Sequence, residues 1–154
     1  ADLPLILRFS QWKQQDYEAR LAHSPDELGA FLAPLTDAGA DIFHCSTRRF
    51  WEPEFDGSEL NLAGWTKKLT GKPTITVGSV SLDADFIPLP GEQTFREASP
   101  ASLDDLLERL ERGEFDLVAV GRAMIANADW ANRVRAGELA ELKPFAKEML
   151  FSLD

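Results

Sequence analysis

Four short apolar runs recur along the chain, and a helical pattern follows each of them. The runs are PLILRFS at 4–10, DIFHCS at 41–46, TITVGSV at 74–80 and DLVAVG at 116–121. They are nearly continuous in apolar character rather than alternating. A strand that is apolar on both faces must be covered on both faces, which is the situation of a strand in a parallel sheet. The intervening segments read as helices. Ser24 is an N-cap followed by Pro25 at N1 and Glu27 at N3, and the helix is apolar at Leu28, Phe31, Leu32 and Leu35 before it stops at Ala38-Gly39. A second helix covers 60–69, ahead of Gly71 and Pro73. A third covers 102–112, with Leu103, Leu106, Leu107 and Leu110 on one face and Gly113 at C′. A fourth covers 129–136, and 144–151 is expected as a terminal helix. Residues 83–101 form a Pro-containing loop. Alternating β and α units imply an α/β fold built on a parallel sheet in one domain. Four units fit a small doubly wound sheet or half of an eight-stranded barrel, and periodicity does not choose between them.

Charge and composition narrow the partners. The 154 residues carry a formal net charge of −10, which repels polyanions and argues against nucleic acid as a partner. A single cysteine, Cys45, allows no internal disulfide and no cysteine-based zinc site, and no metal is expected. No apolar run approaches the roughly 18 residues of a membrane helix. The start, ADLPLILRFS, has no basic region of a signal peptide and no initiator Met, so the expectation is a truncated chain of cytoplasmic origin.

The strand ends carry the chemistry. The fourth run stops at Gly121-Arg122, and the third contains Gly78-Ser79-Val80. In a barrel, the ends of the last two strands form the usual phosphate site. Glycine permits close approach of an anion to the backbone, and arginine adds a bidentate cation. The competing reading is a tight turn with an arginine reaching to solvent. Arg8 lies inside the first run; a buried guanidinium there demands an anionic or strongly polar partner, either a ligand or a salt bridge. Asp41, His44, Cys45 and Ser46 do not make a nucleophilic triad, because Asp41 opens its strand and neighbours on a strand face opposite ways. His44 and Cys45 read as packed residues. Arg48, Arg49, Phe50 and Trp51 follow the second strand and Trp12 follows the first, at the end where loops carry function. Trp12, Arg49 and Trp51 are therefore candidates for a substrate pocket wall, against a packed loop cluster.

Together ILRFSQW, DIFHCSTRRFWEPEF, KPTITVGSV and FDLVAVGRAMIANADWANRVRAG resemble the old yellow enzyme family of FMN-dependent NAD(P)H:flavin oxidoreductases, or ene-reductases. The resemblance spans nearly the whole chain and implies strands five to eight of a (β/α)8 barrel: a (β/α)4 half over residues 1–154, with the N-terminal half absent. It implies that Arg8 lies at the pyrimidine end of the flavin, near N1 and O2. It implies that Gly78, Ser79 and Val80 face the FMN phosphate, and that Gly121 and Arg122 clamp it. The family's His/His or His/Asn pair and its catalytic tyrosine come from the first half of the barrel, and Tyr17 is no match for that tyrosine. The expectation is half a cofactor site with no catalytic residue, inactive alone. Its partner would be the missing N-terminal half or a second copy of itself, and the parent enzyme would use NAD(P)H and an activated alkene. The alternative is a catalytically silent half-barrel that serves as a folding unit or phosphate-binding scaffold. A phosphosugar-type barrel is disfavoured because it leaves Arg8 unexplained.

Overall fold

The structure is a computed structural model and describes residues 3–13, 16, 18–84 and 97–151. It contains one four-stranded sheet: β1 (Ile6–Ser10), β2 (Ile42–Ser46), β3 (Thr74–Val77) and β4 (Leu117–Val118). Every pairing is parallel and the order is β1-β2-β3-β4. A doubly wound sheet reverses its strand order at a switch point. This sheet does not, and its strands follow one another as in a barrel. The chain is a (β/α)4 half of a TIM barrel.

Helices α1 (Pro25–Asp37), α2 (Leu62–Thr70) and α3 (Asp104–Glu111) connect the strands. Ser24 caps α1 through a hydrogen bond from Glu27 N, and the Glu27 carboxylate accepts from His23 N, so the N-terminal signature works as a reciprocal cap. Gly71 ends α2 in the left-handed conformation, at φ 67°. After β4 come the short α4 (Arg122–Ala126) and α5 (Trp130–Ala136).

The sheet has two different faces. Phe43 and Cys45 of β2 and Thr74 and Thr76 of β3 point toward the helices and are fully buried. Leu28 and Leu32 of α1, Leu62 and Ala63 of α2, Leu106 of α3 and Phe115 complete this core. A smaller cluster joins Leu82, Ala98, Ala123 and Phe145. The alternate residues form the inner face: Ile6, Arg8 and Ser10, then Ile42, His44 and Ser46, then Ile75 and Val77, then Leu117. The register sets Arg8, His44, Ile75 and Leu117 in one row across the sheet. Ile6 and Leu117 are each 50% exposed, so no described residue covers this face as the facing strands of a closed barrel would.

Several expectations are corrected. Arg8 is exposed on the inner face rather than buried. The third strand stops at Val77 because Gly78 turns the chain out of the sheet, at φ 141°. The fourth strand pairs only through Leu117 and Val118. Residues 144–151 do not form an α-helix. Phe145 instead exchanges backbone hydrogen bonds with Ala98, leaving a single 3₁₀ turn at Lys147–Leu150. Another such turn lies at Leu139–Glu141. Tyr17 and residues 85–96 of the expected loop lie outside the described residues. No helix among the described residues is long and apolar enough to cross a membrane.

Candidate functional site

The ends of β3 and β4 converge on one cleft. After Val77 the chain passes through Gly78, Ser79 (φ 47°) and Ser81 (φ 55°), all in the left-handed half of conformational space. Gly78 is required by space as well as by φ. A Cβ there would lie 2.8 Å from Thr47 Oγ1 and 2.9 Å from both Arg48 C and Arg49 N. The turn therefore rests directly on the backbone of the loop after β2. Thr47 Oγ1 donates to Val77 O, Phe50 N donates to Gly78 O (3.2 Å), and Ser79 Oγ lies 3.1 Å from Arg48 O as donor. The two loops are stitched into one wall.

Across the cleft stands the end of β4. A Cβ on Gly121 would meet nothing within 4 Å, so this glycine borders open space. Arg122 Nη2 donates to Ser79 Oγ (3.2 Å), and the guanidinium lies 5.8 Å from the centre of the Phe145 ring. The N–H groups of Val80 and Gly121 donate to no acceptor among the described residues. The cleft has a volume of about 360 Å³, and its lining includes Trp12, Gly78, Ser79, Val80, Gly121 and Arg122. Six of the residues singled out in the sequence thus meet in one place.

Three others do not line it. Arg8 stands on the inner face and donates through Nη2 to Ser46 Oγ (3.1 Å); Ser46 itself lines the cleft, so Arg8 is linked to it through one hydroxyl. Arg49 lines a smaller neighbouring cleft of about 130 Å³ and pairs with Glu52. Trp51 lines neither of these clefts. Its ring stands edge-on to Phe50 at 5.1 Å, and its carbonyl accepts from Arg109 Nη2 (3.4 Å). The Asp41 carboxylate accepts from Leu5 N (2.8 Å) at the far end of the sheet, well away from Ser46.

Titratable groups near the site are tuned by burial. Burial, then the charge of Arg8, lowers the pKa of His44 and favours neutral imidazole on the inner face. Burial pushes the Cys45 thiol up to about 12, although its contact with Thr66 Oγ1 works the other way. A thiol held in its protonated form is a packing residue and no nucleophile. Among the described residues no group of three or more His, Cys, Asp or Glu side chains could hold a metal ion.

Glu54, in the smaller cleft, was not anticipated. Burial raises its carboxyl pKa, against the hydrogen bond from Gln11 Nε2 (2.8 Å) and the charge of Arg20. Gln11 also grips Ala22 at both backbone groups, so Glu54 ties the first loop to the second. A carboxyl with a raised native pKa stabilises the fold fully below its unfolded value, and that contribution is lost as pH rises through the native value. Glu54→Gln retains an acceptor and carries no charge. Its stability relative to the parent should therefore increase between about pH 4 and about pH 7.5, a range spanning the ordinary carboxylate value. Urea midpoints at the two pH values measure this; a difference that shrinks on raising the pH would contradict the assignment.

The sequence reading also passed over Thr47, Asn61 and Trp130. Asn61 had a legible signal, as an Asn preceding an apolar helix start. Trp130 had none.

No protein-family profile matches the chain, and no curated protein matches it in sequence. Solved structures do share its fold. Morphinone reductase aligns with a TM-score of 0.58 at 16% identity, over 94% of this chain and 32% of its own. An old yellow enzyme homologue from Zymomonas mobilis aligns with a TM-score of 0.60 at 14% identity, over 97% of this chain and 35% of its own. Histamine dehydrogenase from Rhizobium sp. 4-9 aligns with a TM-score of 0.54 at 17% identity, over 90% and 18%. Identities this low establish a likeness of fold. The chain spans about a third or less of the length of the structures it matches.

Proposed function

We propose that this chain is the C-terminal half-barrel, strands five to eight, of an FMN-dependent oxidoreductase of the old yellow enzyme type, and that it carries the phosphate-binding part of the FMN site. One observation carries the reading: two strand ends, Gly78–Val80 and Gly121-Arg122, border a single cleft with a guanidinium and two amides, Val80 N–H and Gly121 N–H, that donate to no acceptor among the described residues. That donor set suits a phosphate monoester. Gly121 leaves the backbone accessible, and Arg122 supplies the charge while Ser79 orients it. Arg8, linked to the cleft through Ser46, would face the ring end of the cofactor, where its cation stabilises negative charge at the pyrimidine. Bound FMN would supply hydride transfer between NAD(P)H and an activated alkene. This chain's part is to anchor and polarise the cofactor; the family's His pair and tyrosine have no counterparts here.

The test is a titration with FMN and with inorganic phosphate. Charge-assisted hydrogen bonds contribute about 1.5–3 kcal/mol each. Arg122→Ala should therefore weaken both ligands roughly tenfold to a hundredfold, at about 1.4 kcal/mol per tenfold. Arg8→Ala should spare phosphate and weaken FMN alone. Equal losses for both ligands in both variants would show the two arginines wrongly placed. A colourless preparation that binds neither ligand would favour the silent folding unit instead.

The proposal extends to the partner. The inner face and the edges of β1 and β4 need a covering half-barrel, either the N-terminal half or a second copy. Arg8 favours the former, because a symmetric pair would place two guanidiniums in one lumen without a carboxylate on that face. Prepared alone, the chain should self-associate at micromolar concentration by light scattering, and adding the N-terminal half should convert it to a defined one-to-one species. A stable, well-folded monomer would count against any need for a cover.

A further inference from the structure

The turn after β3 raises a question that its glycine does not answer. Ser79 and Ser81 both carry side chains in the left-handed region. Such residues persist only where the surroundings over-determine them. Ser79 is held by Arg48 O and Arg122 Nη2. Ser81 is held from elsewhere. Its carbonyl accepts from Ala101 N (2.9 Å), and its hydroxyl accepts from the indole Nε1 of Trp130 at 2.9 Å. Trp130 is the first residue of α5, half-buried, and packs against both hydrophobic clusters. The indole is therefore fixed by the two cores, and its single N–H is directed at one hydroxyl of the turn. Ser81 is itself 2% exposed, so water does not replace that donor.

We propose that Trp130 is a positioning residue for the cleft. Its N–H locks Ser81 in the left-handed conformation and so sets the direction in which the neighbouring Val80 amide presents itself to an anion of the phosphate-monoester class. The inference rests on the phosphate reading for its ligand but not for its mechanics. Trp130 does not line the cleft.

The experiment pairs two substitutions. Trp130→Phe keeps an aromatic ring between the clusters and removes the N–H. Ser81→Gly removes the hydroxyl but adopts positive φ without strain. Trp130→Phe should raise amide hydrogen exchange in residues 78–82 and weaken inorganic phosphate and FMN about fivefold, the loss of one hydrogen bond of roughly 1 kcal/mol. In the Ser81→Gly background the same substitution should change exchange and affinity less than about twofold, because no hydroxyl remains to be held. An equal effect in both backgrounds would show that Trp130 acts through packing and would overturn the proposal, as would unchanged exchange in Trp130→Phe. If the parent chain binds neither phosphate nor FMN, the functional reading fails. The exchange measurements across the two backgrounds then still decide whether Trp130 sets the turn.

Discussion

Gly78→Ala should remove a large share of the stability of the fold, about 2–6 kcal/mol. Two costs combine. At φ 141° an L-residue is strained by about 1–3 kcal/mol, and the added methyl must also displace its neighbours, for which overpacking costs about 1–3 kcal/mol. Two of the three atoms it would meet are backbone, Arg48 C and Arg49 N, at 2.9 Å, so no side-chain rotation relieves the clash. Domains of this size hold roughly 5–15 kcal/mol in total. Urea denaturation should show the loss as a lowered midpoint, and the phosphate binding proposed above should be lost in parallel because the turn forms the cleft wall. A loss below about 1 kcal/mol would mean that the two loops part easily and that the contact is incidental. The same substitution at Gly121, where a Cβ meets nothing, should cost little stability.

Asn61→Ala should be at least as damaging. Asn61 is fully buried at the N-cap of α2 and joins three structures. Its Nδ2 donates to Phe50 O (2.8 Å) and Thr76 Oγ1 (3.1 Å), and its Oδ1 accepts from Gly64 N (2.9 Å). The loss of a cap costs about 1 kcal/mol, and each buried partner left unsatisfied adds about 1–3 kcal/mol. With two such partners, Phe50 O and Thr76 Oγ1, a total of about 3–7 kcal/mol is expected by urea denaturation. Asn61→Asp separates the contributions. It keeps the acceptor for Gly64 N, loses both donors, and places a carboxylate beside Glu114, whose Oε1 already accepts from Asn61 N. It should be at least as destabilising as alanine at neutral pH. If Asp instead restores the stability, the cap alone matters and the ties to β3 and the second loop are unimportant.

The first three strands and the three connecting helices were legible, because buried parallel strands and capped amphipathic helices impose strong local patterns. Ser24-Pro25 and Gly71 mark their helix ends through chemistry that acts within one turn. What failed depended on distant neighbours. The exposure of Arg8 reflects what covers the inner face, and no local pattern records that. Residues 144–151 look apolar enough for a helix, but Phe145 is drawn into a bridge with Ala98 far away in sequence. Leu117 to Val120 look like a longer strand, yet β3 has already turned away at Gly78 and offers a ladder only to Leu117 and Val118. Within the cleft, the glycines and Arg122 were readable as residue types. The hydrogen bonds that hold the adjoining turn, from Thr47 to Val77 and from Trp130 to Ser81, arise only from the fold.

The sheet order repeats the chain order, and this has a kinetic consequence. Each strand pairs with the strand of the unit just before it, so no pairing waits for a remote segment. Loop closure is then local at every step, and assembly can proceed one β/α unit at a time from the N-terminal end, as during synthesis. The β4 ladder is the shortest in the sheet and is last in this sequence. The cleft needs the ends of both β3 and β4, so it takes shape only once the whole sheet has assembled.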